Sequence, residues 1–206
     1  MRTILILFSA LLFFHFSQAQ PTANYVDVDA FVERFPMKAS ALADIRVLAR
    51  EWKGRLHTDE EKARAVFYWI THNIVYDCEG YRNGNGIYEP GEVMQKKKAI
   101  CAGYASLYKF FCQELGLTCE IINGFATGIS VDTLSENKIN TNHAWNAVKV
   151  SGSWKLVDPT WGAGSANDDC TRQFSKLDEF FFFPDPIVLF LAICLNRKNG
   201  NCCQSP

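Results

Sequence analysis

Lys98-Ala99-Ile100-Cys101-Ala102-Gly103-Tyr104-Ala105 decides how the rest of this 206-residue chain is read. It joins a Gly-rich segment to a run with helical spacing. Ala105, Leu107, Tyr108, Phe111, Cys112 and Leu115 make one wide apolar face over residues 101–115, and Gly116 is placed to end it. So wide a face predicts a central helix packed against sheet. Cys101 opens that helix, where unsatisfied backbone N–H groups and the helix dipole favour the anionic form of a sulfur.

Downstream, residues 117–125 read as a strand, and residues 143–150 and 154–158 as two more around a Ser151-Gly152 hairpin turn. Several strands after helices predict an α+β domain. A nucleophilic thiol needs a base, and the base an orienting partner. Of the four histidines, His15 lies in an apolar N-terminal run and His57 precedes a helix cap. His72 sits in the last turn of a helix, where it can cap carbonyls. His143 alone opens a strand. If Ser151 and Gly152 form a two-residue turn, facing residues sum to 303. His143 then faces Thr160, and Asp158 is its diagonal neighbour, roughly 7–8 Å away on the same face. A three-residue turn would put the two on opposite faces. The competing reading makes Cys101 a bridged or buried cysteine and the other two ordinary sheet residues.

Upstream, apolar spacing predicts a helix over residues 39–52. Thr58-Asp59-Glu60-Glu61 is a capping box opening a second helix that ends near Asn73. Ile74-Val75-Tyr76 reads as extended. Residues 78–91 carry Gly80, Gly84, Gly86, Pro90 and Gly91, and are expected to form an irregular loop, either a wall or lid or a plain surface insertion. The acidic spacing of a calcium loop is absent from it.

Met1-Arg2, the apolar run over residues 4–16 and Ser17-Gln18-Ala19 have the pattern of a cleavable signal peptide, with cleavage expected after Ala19. About 13 apolar residues are too few to span a bilayer, so the mature protein is expected to be secreted or periplasmic, without a stable membrane anchor. A net charge of −1 argues against a nucleic-acid partner. Export permits disulfides: Cys78, Cys112, Cys119 and Cys170 are candidates for two bridges, in any of three pairings, with Cys101 free. No Cys-x-x-Cys, paired histidines or clustered carboxylates point to a metal site, and no cofactor is expected.

Cys101-Ala102-Gly103-Tyr104-Ala105, Asn142-His143-Ala144-Trp145-Asn146 and Leu156-Val157-Asp158-Pro159-Thr160-Trp161-Gly162 resemble the three motifs of the transglutaminase-like superfamily. Glu61-Lys62-Ala63-Arg64-Ala65 and Tyr76-Asp77 resemble the helix and strand that precede its nucleophile. The likeness covers roughly residues 58–183 and is closest to the kyphoscoliosis-peptidase subgroup with its bacterial exported relatives. It implies a papain-like α+β core with Cys101 as nucleophile, His143 as base and Asp158 as orienting acid. The implied activity is that of a peptidase or amidase on a protein or peptide substrate, with cross-linking transglutaminase or a non-catalytic binding module as alternatives. Trp145 and Trp161 are expected either to wall the site or to serve as core aromatics.

The resulting organisation is a signal peptide at 1–19, a helical segment at 20–57, the transglutaminase-like domain at 58–186 and a divergent tail at 187–206. The likeness stops at Asp185-Pro186. With suitable codons, residues 191–206 read in a shifted frame give the Trp-Gln-Leu-Leu ending that the resemblance implies. A frameshift near Phe190 is therefore the expectation, and Cys194, Cys202 and Cys203 would then have no evolved role. The nucleotide sequence across that point tests it.

Overall fold

The computed structural model describes residues 24–35, 40–126, 141–166, 170 and 173–195. The expected signal peptide at 1–19, the connection over 127–140 and the tail beyond 195, with Cys202 and Cys203, lie outside the described residues.

Helices α1 (Val26–Val32) and α2 (Leu42–Lys53) come first. α2 turns Ile45, Ala49 and Trp52 inward, and Trp52 stacks on Phe111 at 4.9 Å. Each large apolar side chain buried in this way contributes roughly 1.5–3 kcal/mol. α3 (Asp59–Asn73) opens at the predicted capping box. Thr58 Oγ1 accepts the Glu61 N–H at 3.1 Å, and the Glu61 carboxylate accepts the N–H groups of Thr58 and His57 at 2.9 and 2.7 Å. The Thr58 amide above all, against a smaller opposing effect of burial, holds the Glu61 carboxyl below its usual range. Residues 63–71 are all buried, so α3 is encased by its neighbours.

The chain continues through β1 (Val75–Tyr76), α4 (Cys78–Asn83), α5 (Pro90–Lys96) and β2 (Lys98–Ala99), with β1 and β2 paired in parallel. Two short helices thus replace most of the irregular loop expected over residues 78–91. Asp77 caps the first by accepting the Gly80 N–H at 3.2 Å, Gly84 ends it at φ +69°, and Pro90 starts the second. The glycines and proline mark where helices stop and start.

α6 (Cys101–Glu114) ends as expected at Gly116, φ +82°. Gly116 N–H donates to Gln113 and Leu117 N–H to Cys112, closing a Schellman motif. The buried face of α6 packs on a three-stranded antiparallel sheet in the order β3 (Cys119–Gly124), β4 (His143–Val150), β5 (Ser153–Val157). β4 and β5 pair Val150 with Ser153 and Asn146 with Val157, the register expected of a two-residue turn. Ser151 and Gly152 both take positive φ, as a right-twisted hairpin prefers. A central helix on an antiparallel sheet is the predicted α+β arrangement.

α7 (Pro159–Gly162), the paired strands β6 (Gly164–Ala166) and β7 (Gln173–Ser175), a 3₁₀ turn at Glu179–Phe181 and α8 (Pro186–Leu195) complete the described chain. On α8 Leu189 is buried, whereas Ile187 and Phe190 are exposed. No helix among the described residues is long and apolar enough to cross a membrane.

The expectation of two disulfides is corrected. Cys78 is bridged to Cys170, while Cys101, Cys112 and Cys119 are free. Cys112 on α6 and Cys119 at the start of β3 are buried in the core, within hydrogen-bonding reach of one another. Burial pushes the Cys112 thiol well above its ordinary range.

Candidate active site

Cys101 owes its position to backbone packing. β2 leads into it, with Ile100 N–H donating to Ile87 O at 3.0 Å. Tyr104 N–H donates to Ile100 O at 3.1 Å, so the Cys101 and Ala102 amides lie ahead of the first α-helical bond. Gly103 lets the segment before α5 press against the helix start. A Cβ there would lie 2.5 Å from Ile87 O and 2.7 Å from the Ala99 Cβ. Ser106 Oγ then donates to Tyr88 O at 2.5 Å. Part of the Gly-rich stretch is therefore a wall on the first turns of α6. Buried Asp77 fixes both ends of that wall, accepting from Gly80 N–H, from Ile87 N–H at 3.4 Å and from Lys98 Nζ at 3.0 Å.

His143 opens β4 opposite Gly124 of β3. Thr160 does not face it, contrary to the hairpin extrapolation. Pairing ends at Asn146–Val157, because Pro159 turns the chain into α7 and places Thr160 there. The turn nevertheless brings Asp158 to His143. Asp158 is the N-cap of α7: its Oδ1 accepts the N–H groups of Thr160 and Trp161 at 3.0 and 3.1 Å. Oδ2 is left for His143 Nε2 at 2.7 Å. Both residues are buried.

Three influences set the His143 proton. Burial, the largest, opposes the charge, but the Asp158 carboxylate and the hydrogen-bonded Cys101 side chain together outweigh it and hold the ring up to about 10. At neutral pH the ring therefore carries both protons. Nε2–H faces Asp158. The three side chains proposed from sequence thus come together, in the order Cys101, His143, Asp158. A sulfur beside an imidazolium at a helix start is in the surroundings that activate a thiol as a nucleophile.

Aromatic rings complete the setting. Trp161 stacks on His143 at 4.8 Å and Trp145 at 5.7 Å, and Phe181 meets Trp161 edge-on at 5.4 Å. The indole nitrogens of Trp145 and Trp161 are buried without a hydrogen-bond partner among the described residues. Asn146 Nδ2 donates to Ala105 O at 3.0 Å and so ties β4 to α6. Asn146 falls within a sequence motif that assigns it no role; its signal is an inward strand position in step with Ala144 and Val148. Arg64 falls likewise within the Glu61–Ala65 motif without a role; it lies among buried residues of α3 and is itself 1% exposed. No group of three or more His, Cys, Asp or Glu side chains among the described residues is arranged to hold a metal ion.

The family model of the transglutaminase-like superfamily matches residues 46–159. The human kyphoscoliosis peptidase is 30% identical over 84% of this chain and 26% of its own length. The mouse protein of the same name is 34% identical over 73% of this chain and 23% of its own. Hillarin of Drosophila melanogaster is 29% identical over 68% of this chain and 18% of its own. The chain therefore spans about a quarter or less of the length of these curated relatives.

Proposed function

Because the chain belongs to the transglutaminase-like superfamily, we propose that it is an exported thiol-dependent acyl-transfer enzyme, acting as a peptidase or amidase on protein or peptide substrates. One observation carries the reading: buried Asp158 holds His143 Nε2 at 2.7 Å, with the Cys101 side chain near enough to the ring to favour its charge. The name of the mammalian relatives, kyphoscoliosis peptidase, favours hydrolysis.

In the proposed reaction the Cys101 sulfur attacks a carbonyl carbon, and electrons move to the carbonyl oxygen. Cys101 N–H at the start of α6 donates to that oxyanion. As the C–N bond breaks, His143 passes a proton to the departing amine, leaving a thioester on Cys101 and a neutral imidazole. The imidazole then takes a proton from water, the hydroxide attacks the thioester, and the acid product leaves. The imidazolium and the free sulfur are restored. Asp158 keeps the ring oriented and stabilises its charge. An amine in place of water would make the same site cross-link, so the acceptor alone separates the two outcomes.

The test is iodoacetamide alkylation of the folded mature protein from pH 5 to 8, with peptide mapping, for wild type and His143→Ala. Rapid modification of Cys101 at low pH that depends on His143 is expected. A blocked or bridged Cys101 sinks the proposal. Casein with a dansyl-amine acceptor then separates hydrolysis from cross-linking.

A further inference from the structure

Arg64 is the one charged side chain in the buried stretch 63–71 of α3, and the mechanism above makes no use of it. Its guanidinium is held on two sides. Nε and Nη2 donate to Asp29 of α1 at 2.8 and 2.6 Å. Nη1 and Nη2 donate to Glu179, the latter at 2.7 Å. The rings of Tyr25, Phe67, Tyr68 and Phe182 surround it at 4.8–5.6 Å. Such a doubly forked arginine fixes the angle as well as the distance of its partners.

The two partners differ in where they lead. Asp29 belongs to α1. Glu179 starts the 3₁₀ turn, and that turn grips α7 at both ends. Asp178 N–H donates to Gly162 O at 3.0 Å, and Phe181 O accepts Asp158 N–H at 3.0 Å. Phe183 N–H donates to Leu156 O at 3.1 Å, and Phe182 bridges to Val157, extending the sheet edge up to Asp158. Phe181 also sets its ring edge against Trp161, which stacks on His143. One turn along α3 from Arg64, Phe67 packs so closely on α7 that a Cβ on Gly162 would lie 2.4 Å from its ring.

We infer that Arg64 is a positioning residue for the His143–Asp158 pair, acting through Glu179 and the 3₁₀ turn. The inference rests on the thiol-enzyme reading, and it makes Glu179 functionally distinct from Asp29 although both pair with the same guanidinium.

The experiment compares Glu179→Ala, Glu179→Gln and Asp29→Ala with wild type. The Glu179 side chain is 59% exposed, so its variants are expected to fold. Two readouts are taken besides thermal stability: the pH profile of Cys101 alkylation and the imidazole NMR signals of His143. Glu179→Ala is expected to slow alkylation about tenfold or more, within the roughly 100-fold that a small misplacement of reacting groups can cause. It is also expected to move the His143 resonances, with partial rescue in Glu179→Gln. Asp29→Ala is expected to lower thermal stability while leaving both readouts near wild type. Equal effects of the Glu179 and Asp29 changes, or a Glu179→Ala protein with unchanged His143 signals, overturn the inference. If wild-type Cys101 fails to alkylate, the enzyme reading falls, whereas the His143 signals still report whether the arginine link reaches the histidine.

Discussion

The two sides of the site are built by different means. Cys101 is placed by close backbone approach: Gly103 lies against Ile87 and Ala99 with no room for a methyl group. His143 and Asp158 are placed by directed contacts, namely a strand register, a helix cap, a 2.7 Å hydrogen bond and a stacked indole. Steric placement fails abruptly, because an added atom must displace main chain. Directed placement fails by degrees, because a substitute side chain keeps some of the bonds.

The largest effect lies on the directed side. Asp158→Asn keeps a side chain able to cap α7 and removes the charge facing His143. A fall of roughly 10²–10⁴-fold in kcat/KM is expected, with a lower Tm at and below neutral pH, where the lost charge pair had stabilised the fold. The pH dependence sharpens the point. With the folded His143 held up to about 10 against 6.5, its charge stabilises the native state fully below about pH 6.5. That contribution is lost as pH rises toward 10. Asp158→Asn should bring the alkaline limb of activity to lower pH and reduce the pH dependence of stability over the same range. An unmoved limb would break the assignment.

Next in size is Gly103→Ala. The added methyl group meets a carbonyl oxygen and another Cβ at under 3 Å, and overpacking of this kind destabilises by roughly 1–3 kcal/mol. Denaturant titration should show that loss together with slower Cys101 alkylation. Wild-type stability in Gly103→Ala would remove the steric half of the comparison. The smallest effect lies outside both sides. Thr58→Ala removes the α3 cap and should lower stability by about 1 kcal/mol while leaving the alkylation rate of Cys101 unchanged.

Much of the scaffold is legible because its signals are local. Thr58 and Glu61 are three residues apart, Gly116 follows its helix directly, and Ser151-Gly152 sets a register that Val150–Ser153 pairing obeys. What escaped depends on residues distant in sequence. Asp77 converts a Gly-rich stretch into a capped helix by reaching Gly80, Ile87 and Lys98 together. Pro159 sends the chain out of the hairpin, so Asp158 reaches His143 from a helix cap rather than a strand. Arg64 has partners 35 and 115 residues away, a separation no periodicity records. The pairing of Cys78 with Cys170 is underdetermined for the same reason.

That bridge joins residues 92 apart in sequence, and the enclosed ring of chain contains Cys101, His143 and Asp158. A single backbone cleavage anywhere inside the ring leaves both fragments covalently joined, so the three side chains would stay on one molecule after a nick. During synthesis the ring can close only after Cys170 has followed Cys78 out of the ribosome, when all three are already present. Oxidation at these two sulfurs therefore reports that the whole site has been made.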